Sequence, residues 1–175
     1  ERPDRTGDRT AGGPPICARL DEVSGLPIEL DAVDKRIVTE LQRDGRISYA
    51  DLGPIVGLSP AAVRQRVQRI LDAGVVQVVG VTDPSAVGYP VMAMLGVQVD
   101  GDVTQIADEI AAVDGVIYIV MSAGSFDLMV EVICEDTMAL LDLINRKVKT
   151  VEGVRQVESF VYFGIHTHRF GWGVR

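Results

Sequence analysis

The sequence predicts an α+β protein in two parts: three short helices, then a strand and linker, then a βαββαβ unit. Three observations predict it. Before residue 75 the apolar residues recur at helical spacing, in short runs stopped by glycine. After residue 90, runs of alternating or continuous apolar residues exchange with two helical stretches. The segments Val113-Asp114-Gly115-Val116 and Val151-Glu152-Gly153-Val154 echo each other, as two related βαβ halves would. With 175 residues, 47% of them hydrophobic, the chain is long enough for two small domains with real cores.

Residues 1–29 mix glycine, proline, arginine and aspartate without a period and read as a disordered arm. Order is expected from Asp31, an N-cap followed by Val33, Ile37, Val38 and Leu41 and stopped by Asp44-Gly45. A second helix starts at Ser48, with Asp51 three residues on, and is expected to bury Leu52, Ile55 and Val56 before Gly57 breaks the chain. Gly53-Pro54 lies inside it, and a bend at the proline would change the angle at which the next helix is presented. Ser59 caps a third helix with Pro60 at its first position; it runs to about Leu71 and ends at Asp72-Ala73-Gly74. Three short helices with a tight turn between the last two make a winged-type helix-turn-helix over residues 30–74.

Residues 75–90 are read as a connecting strand, Val75 to Val81, and a linker from Asp83 to Pro90. Residues 91–166 then give a strand from Val91 to Val99 and a helix from Val103 to Val113 with Ile106, Ala107, Ile110 and Ala111 inward. Strands from Ile117 to Ser122 and Leu128 to Ile133 follow. A helix from Thr137 to Thr150, burying Leu140, Leu141, Ile144 and Val148, leads to a last strand, Val154 to Phe163. This is the split-βαβ, ferredoxin-like order. Residues 167–175 form a tail whose Trp172 is expected to pack in an assembly. In the first strand of the unit, Met92 and Met94 alternate with Ala93, Leu95 and Val97, so both sheet faces are apolar. Two helices cover one face. The other predicts a second copy across a two-fold axis.

Composition sets aside several classes. No apolar run approaches the ~20 residues of a membrane span, and the first residues lack the apolar centre of a signal peptide. Cys17 and Cys134 lie far apart and do not form a disulfide framework, so a reducing cytoplasm is expected. No nucleophile-base trio, phosphate-binding loop or dinucleotide fingerprint occurs, and no catalytic residue or cofactor is assigned. His166 and His168 stand two apart but have no third ligand nearby, so they read as strand-end histidines rather than a metal site.

The net charge of -8 is unevenly spread. Residues 91–175 hold six bases and twelve acids, whereas residues 30–80 hold seven bases and six acids. The third helix carries Arg64, Arg66 and Arg69 and no acid before Asp72. Its apolar stripe is Val63, Val67, Ile70 and Leu71, which turns Ala61, Ala62, Gln65 and Arg69 outward with Arg64, Arg66 and Gln68 at the flanks. Small residues near the helix start allow close approach to base edges, glutamine reads a base through paired hydrogen bonds, and flanking arginines hold phosphates. Alone, such a helix is a solvated amphipathic one. Following two helices and a tight turn, it reads as the recognition helix for double-stranded DNA. Ser59 joins that set as the cap at its start, Gln65 is expected to make the base contact, and Arg64, Arg66 and Arg69 are expected mainly at phosphates.

Leu30-Asp31-Ala32-Val33-Asp34-Lys35-Arg36-Ile37, Leu41-Gln42-Arg43-Asp44-Gly45-Arg46 and Val56 to Ile70 resemble the Lrp/AsnC (leucine-responsive/asparagine regulator, feast-famine) transcription regulators over about residues 30–166. The resemblance implies DNA binding by the first part, and by the second part dimerisation, assembly into octamers or other higher oligomers, and binding of an amino acid or similar effector. It also implies that the loop Ser122-Ala123-Gly124-Ser125-Phe126-Asp127 corresponds to the family's Gly-Asp-aromatic-Asp effector loop, with Ser125 where an acid is usual, leaving Asp127 to pair with an amine. Read from its residues alone, the loop is equally a hairpin turn whose aspartate makes local backbone bonds. His166 and Thr167, at the end of the last strand, join the effector residues through the resemblance only. The resemblance also leaves open a metabolite-binding or haem-precursor-decarboxylating relative with a vestigial helix-turn-helix, and an architectural DNA binder without effector.

Overall fold

A computed structural model describes residues 28–167, so most of the N-terminal arm, Cys17, His168 and Trp172 lie outside the described residues. The described chain forms two compact units that divide between Gly80 and Val81.

The first unit holds α1 (Ala32–Arg43), α2 (Tyr49–Val56) and α3 (Pro60–Asp72). Each starts where its cap residue can accept from the orphan amides of the first turn. The Asp31 side chain accepts from Val33 and Asp34, Ser48 from Asp51, and Ser59 from Ala62. Ile37, Val38, Leu41, Leu52, Val56, Val63, Val67 and Ile70 form the core of this unit. Ile55, expected in that core, is 39% exposed. α2 runs through Gly53-Pro54 as one helix. It is short, so Pro54 forfeits only the single bond its missing N–H would have made, and Pro54 itself faces solvent. Gly53 is buried for a different reason. A Cβ on it would stand 2.7 Å from the Leu58 carbonyl oxygen, where the chain turns toward α3.

The expected strand from Val75 to Val81 is not formed. Val75, Val78, Val79 and Val81 are 41–63% exposed, and an extended segment without a neighbouring strand has no ladder to join. One short 3₁₀ turn at Ser85–Val87 interrupts the linker.

The second unit contains β1 (Val91–Val99), α4 (Val103–Ala111), β2 (Val116–Met121), β3 (Leu128–Cys134), α5 (Thr137–Asp142) and β4 (Val154–Val161). The sheet is antiparallel in order β2-β3-β1-β4, the ferredoxin-like arrangement. The helices cover the face carrying Ala93, Leu95, Val97, Leu128, Val130 and Val132, all of them fully buried. The two echoed turns share their geometry: Gly115 and Gly153 both adopt positive φ, 94° and 87°. Side chains at these points would also collide, with Ile133 O and Leu143 at the first and with Asp100 O and Ile106 at the second.

The last helical stretch departs from expectation. After α5 the chain widens into a π turn over Leu143–Lys147 and tightens into a 3₁₀ turn over Val148–Thr150. A wide turn shifts the helical phase. Leu140 and Leu143 are buried at ordinary helical spacing, which leaves Leu141, expected inside, 50% exposed, and the wide turn then brings Val148 inward five positions after Leu143. Ala111 is likewise exposed, because α4 ends there and only Ile106 and Ile110 are fully covered. The face turned away from the helices carries Met92, Met94, Met129, Val120, Tyr118 and Phe160, placed together by strand register. Glu131 also lies on it, accepting a 3.1 Å hydrogen bond from the Tyr162 hydroxyl. Burial, then the charge and hydrogen bond of Glu131, push the Tyr162 phenol up to about 12.

Candidate nucleic-acid interface

α3 presents its polar face as its apolar stripe dictates. Val63, Val67 and Ile70 are buried, Ala61, Arg64, Gln65, Gln68 and Arg69 are exposed, and Ala62 and Arg66 are half-buried. Leu71, assigned to the stripe, is half-buried. The exposed residues line one side of a shallow concavity. No acid occupies the first turn of α3, so nothing there offsets the positive helix end.

The three arginines are not equivalent. Arg66 Nη1 donates to Asp31 Oδ2 at 2.6 Å and to Asp34 Oδ1 at 2.8 Å, and Arg69 Nη2 donates to Asp34 Oδ2. Asp34 is fully buried at 0% exposure. Its remaining need is met by the Asp31 backbone N–H at 3.2 Å, which completes a reciprocal capping box at the start of α1. Burial pushes the Asp34 carboxyl up, but the hydrogen bonds from Arg66 and Arg69 outweigh it and hold the group below its ordinary value. Asp31 is held at about 2, chiefly by the Asp34 backbone N–H and then by Arg66. The sequence shows Asp31 as a capping residue and gives Asp34 no role. Their bond to α3, more than 30 positions on, needs the helices packed.

Other bases of this unit are also engaged. Arg36 donates to the Ile55 carbonyl near the end of α2, and Arg43 pairs with Glu40 at 2.9 Å. Gln68 donates to Asp72 Oδ1 at 2.7 Å. Arg64 and Arg46 have no carboxylate partner among the described residues. Arg64 is therefore the cation of α3 whose charge is uncompensated, and Gln65 lies beside it, also exposed.

In the second unit, Ser122 to Asp127 close a tight loop between β2 and β3. Ser122 N–H donates to Asp127 O at 2.8 Å, and Ser122 Oγ to Phe126 O at 2.7 Å. Asp127 braces the loop against β1: its N–H donates to Val97 O, and its Oδ2 accepts from Val99 N–H at 2.9 Å. Gln98 donates to Ser125 O. The N–H groups of Ala123, Gly124 and Ser125 donate to no protein acceptor among the described residues. Phe126 lies over Gly96, where a Cβ would come within 2.7 Å of its ring, and meets Phe160 edge-on at 6.2 Å. His166 Nδ1 and Thr167 Oγ1 are 2.9 Å apart and exposed. No hydrogen bond joins them to the Ser122–Asp127 loop among the described residues. There, no cluster of three or more potential metal ligands forms, and no helix is long and apolar enough to cross a membrane.

Comparison with known proteins agrees with both units. Residues 30–70 match the family model of the AsnC-type helix-turn-helix domain, and residues 92–170 that of the Lrp/AsnC ligand binding domain. The leucine-responsive regulatory protein of Rhizobium meliloti is 30% identical over 139 residues, 77% of this chain and 89% of that one. The HTH-type transcriptional regulator AldR of Mycobacterium tuberculosis is 30% identical over 142 residues, 78% of this chain and 79% of that one. The crystal structure of the transcriptional regulator NMB0573 in complex with L-Met, from Neisseria meningitidis, superposes with a TM-score of 0.75 at 22% identity, covering 84% of this chain and 97% of that one.

Proposed function

Because this chain belongs to the Lrp/AsnC family of transcription regulators, we propose that it binds a specific DNA sequence through α3 as a dimer or higher oligomer and responds to an amino acid or similar metabolite. The observation that carries this reading is the exposed face of α3, with Ala61, Arg64, Gln65 and Gln68 outward on a helix anchored by a buried stripe. Two such helices related by a dimer axis would enter successive major grooves of a pseudo-palindromic site. Gln65 is the reading residue, Ala61 and Ala62 permit the approach, Ser59 fixes the helix start, and Arg64 holds phosphate.

The effector part of the proposal rests on the Ser122–Asp127 loop. The amides of Ala123, Gly124 and Ser125 suit a carboxylate. The Asp127 oxygen not bonded to Val99 is the group available to an ammonium. His166 and Thr167 approach such a site from the same or a neighbouring subunit. The neighbour of this fold from Neisseria meningitidis was crystallised as a complex with L-Met, which makes amino acids the first ligands to try.

A gel-shift on the DNA upstream of the protein's own gene, repeated across a panel of amino acids, tests the whole reading. A discrete complex altered by one of them is the expected result. Binding that is equal on all DNA and indifferent to every amino acid would overturn sequence-specific, effector-linked regulation in favour of an architectural role.

A further inference from the structure

Asp34 is the one fully buried ionisable side chain in the helical unit's described core, and it spends its lone pairs on two arginines of the helix that faces DNA. Building on the reading of α3 as the DNA-contacting helix, we propose that Asp31 and Asp34 are positioning residues for specificity: they act as an internal counter-charge that keeps Arg66 and Arg69 from phosphates and leaves recognition to Arg64, Gln65 and the small residues beside them.

Geometry and chemistry both support this. Arg66 and Arg69 retain side-chain exposures of 31% and 48%, so each is near enough to solvent to meet a phosphate were it unpaired. Asp31, Asp34, Gln65, Arg66 and Arg69 line one shallow concavity with Glu29, which places three acids at the margin of the reading surface. An arginine gains affinity for DNA by releasing counterions, and it does so to the extent that its charge is uncompensated. To reach a phosphate, Arg69 must strip a fully buried carboxylate of one of its two cations, and an exposed phosphate contact offsets such a loss poorly. Random DNA, which offers phosphates but not the right bases, therefore gains little from α3. DNA with the right base edges still gains the contacts of Gln65. Both carboxyls titrate well below neutrality, so the counter-charge stays in place across physiological pH.

The test uses the full chain with two duplexes: one of random sequence and one enriched by this protein from a random pool. Asp34→Asn should tighten binding to random DNA about tenfold and steepen the slope of log K against log salt by roughly one to two, since each freed arginine adds about 0.9. The preference for the enriched duplex should fall in proportion. Asp72→Asn removes the same charge from the end of α3, where the acid accepts only from Gln68, and should move both duplexes alike. Arg69→Ala should leave the slope of the unaltered protein unchanged, whereas Arg64→Ala should flatten it. Asp31→Asn keeps a competent N-cap and frees Arg66 in part, so a smaller steepening is expected; it decides the matter if Asp34→Asn fails to fold. Slopes equal to that of Asp72→Asn, or an Arg69→Ala slope flattened as by Arg64→Ala, would overturn the counter-charge. If neither Gln65→Ala nor Arg64→Ala affects DNA binding, the α3 reading itself fails and this proposal falls with it.

Discussion

At the residue scale, the same side chain serves different ends according to what packs beside it. Arg64 and Arg66 are two positions apart on α3, yet one is uncompensated and the other bridges two carboxylates. Gln65→Ala is expected to cost about 1–3 kcal/mol at one base pair and to relax preference there alone, measured by competition between single-base variants of the enriched site. Arg64→Ala is expected to weaken all sequences alike and to reduce the salt slope by about 0.9, read from the same binding assay across salt concentrations. The arginines of α3 were legible in the sequence as a basic helix. Their division was not, because Asp31, which looks like an ordinary N-cap, and Asp34, which has no signal of its own, lie over 30 positions away.

At the element scale, α1 and α3 are tied by charge as well as by core packing. Asp31 has its folded value depressed to about 2 and Asp34 is also lowered. A carboxyl with a depressed folded value stabilises the fold fully above its unfolded value, near 3.9, and the contribution is lost as pH falls through the folded one. The helical unit should therefore weaken as pH drops from about 4 towards 2, and Asp34→Asn should remove part of that dependence; thermal melts followed by circular dichroism across this window check it. Gly53→Ala is expected to destabilise the same unit by about 1–3 kcal/mol, since its Cβ would press on the Leu58 carbonyl. A melting temperature equal to the parent's would show that the turn gives way freely. Gly53-Pro54 as a pair looked like a weakness of α2 in the sequence. In the fold, the glycine is what lets the turn close, and the proline occupies a solvent-facing position.

At the scale of the whole molecule, one sheet face is covered by helices and the other has no helix over it among the described residues. Met92, Met94, Met129, Val120, Tyr118 and Phe160 share the uncovered side, and Tyr118 and Phe160 remain 50% and 44% exposed. Burial of such a face against a second copy is the proposed basis of assembly. Phe160→Asp should shift sedimentation toward the monomer and, by separating the paired recognition helices, weaken binding to a two-half-site operator far more than to a single half-site. An unchanged sedimentation profile would place the contact elsewhere.

Periodicity, caps and stops were enough to read three helices followed by βαββαβ, and the face of α3 that turns outward, because these depend on residues within a few positions of one another. The acid-free run "SPAAVRQRVQRI" could thus be identified as the polar face of a capped helix from sequence alone. Tertiary structure decided what local pattern cannot encode. It left Val75 to Val81 without a strand to pair with, brought Val148 inward across a widened turn, and bound Asp127 to the backbone of β1. Above all it neutralised two of three arginines through a buried carboxylate from another helix. Charge compensation depends on distance in space, and a sequence records only distance along the chain.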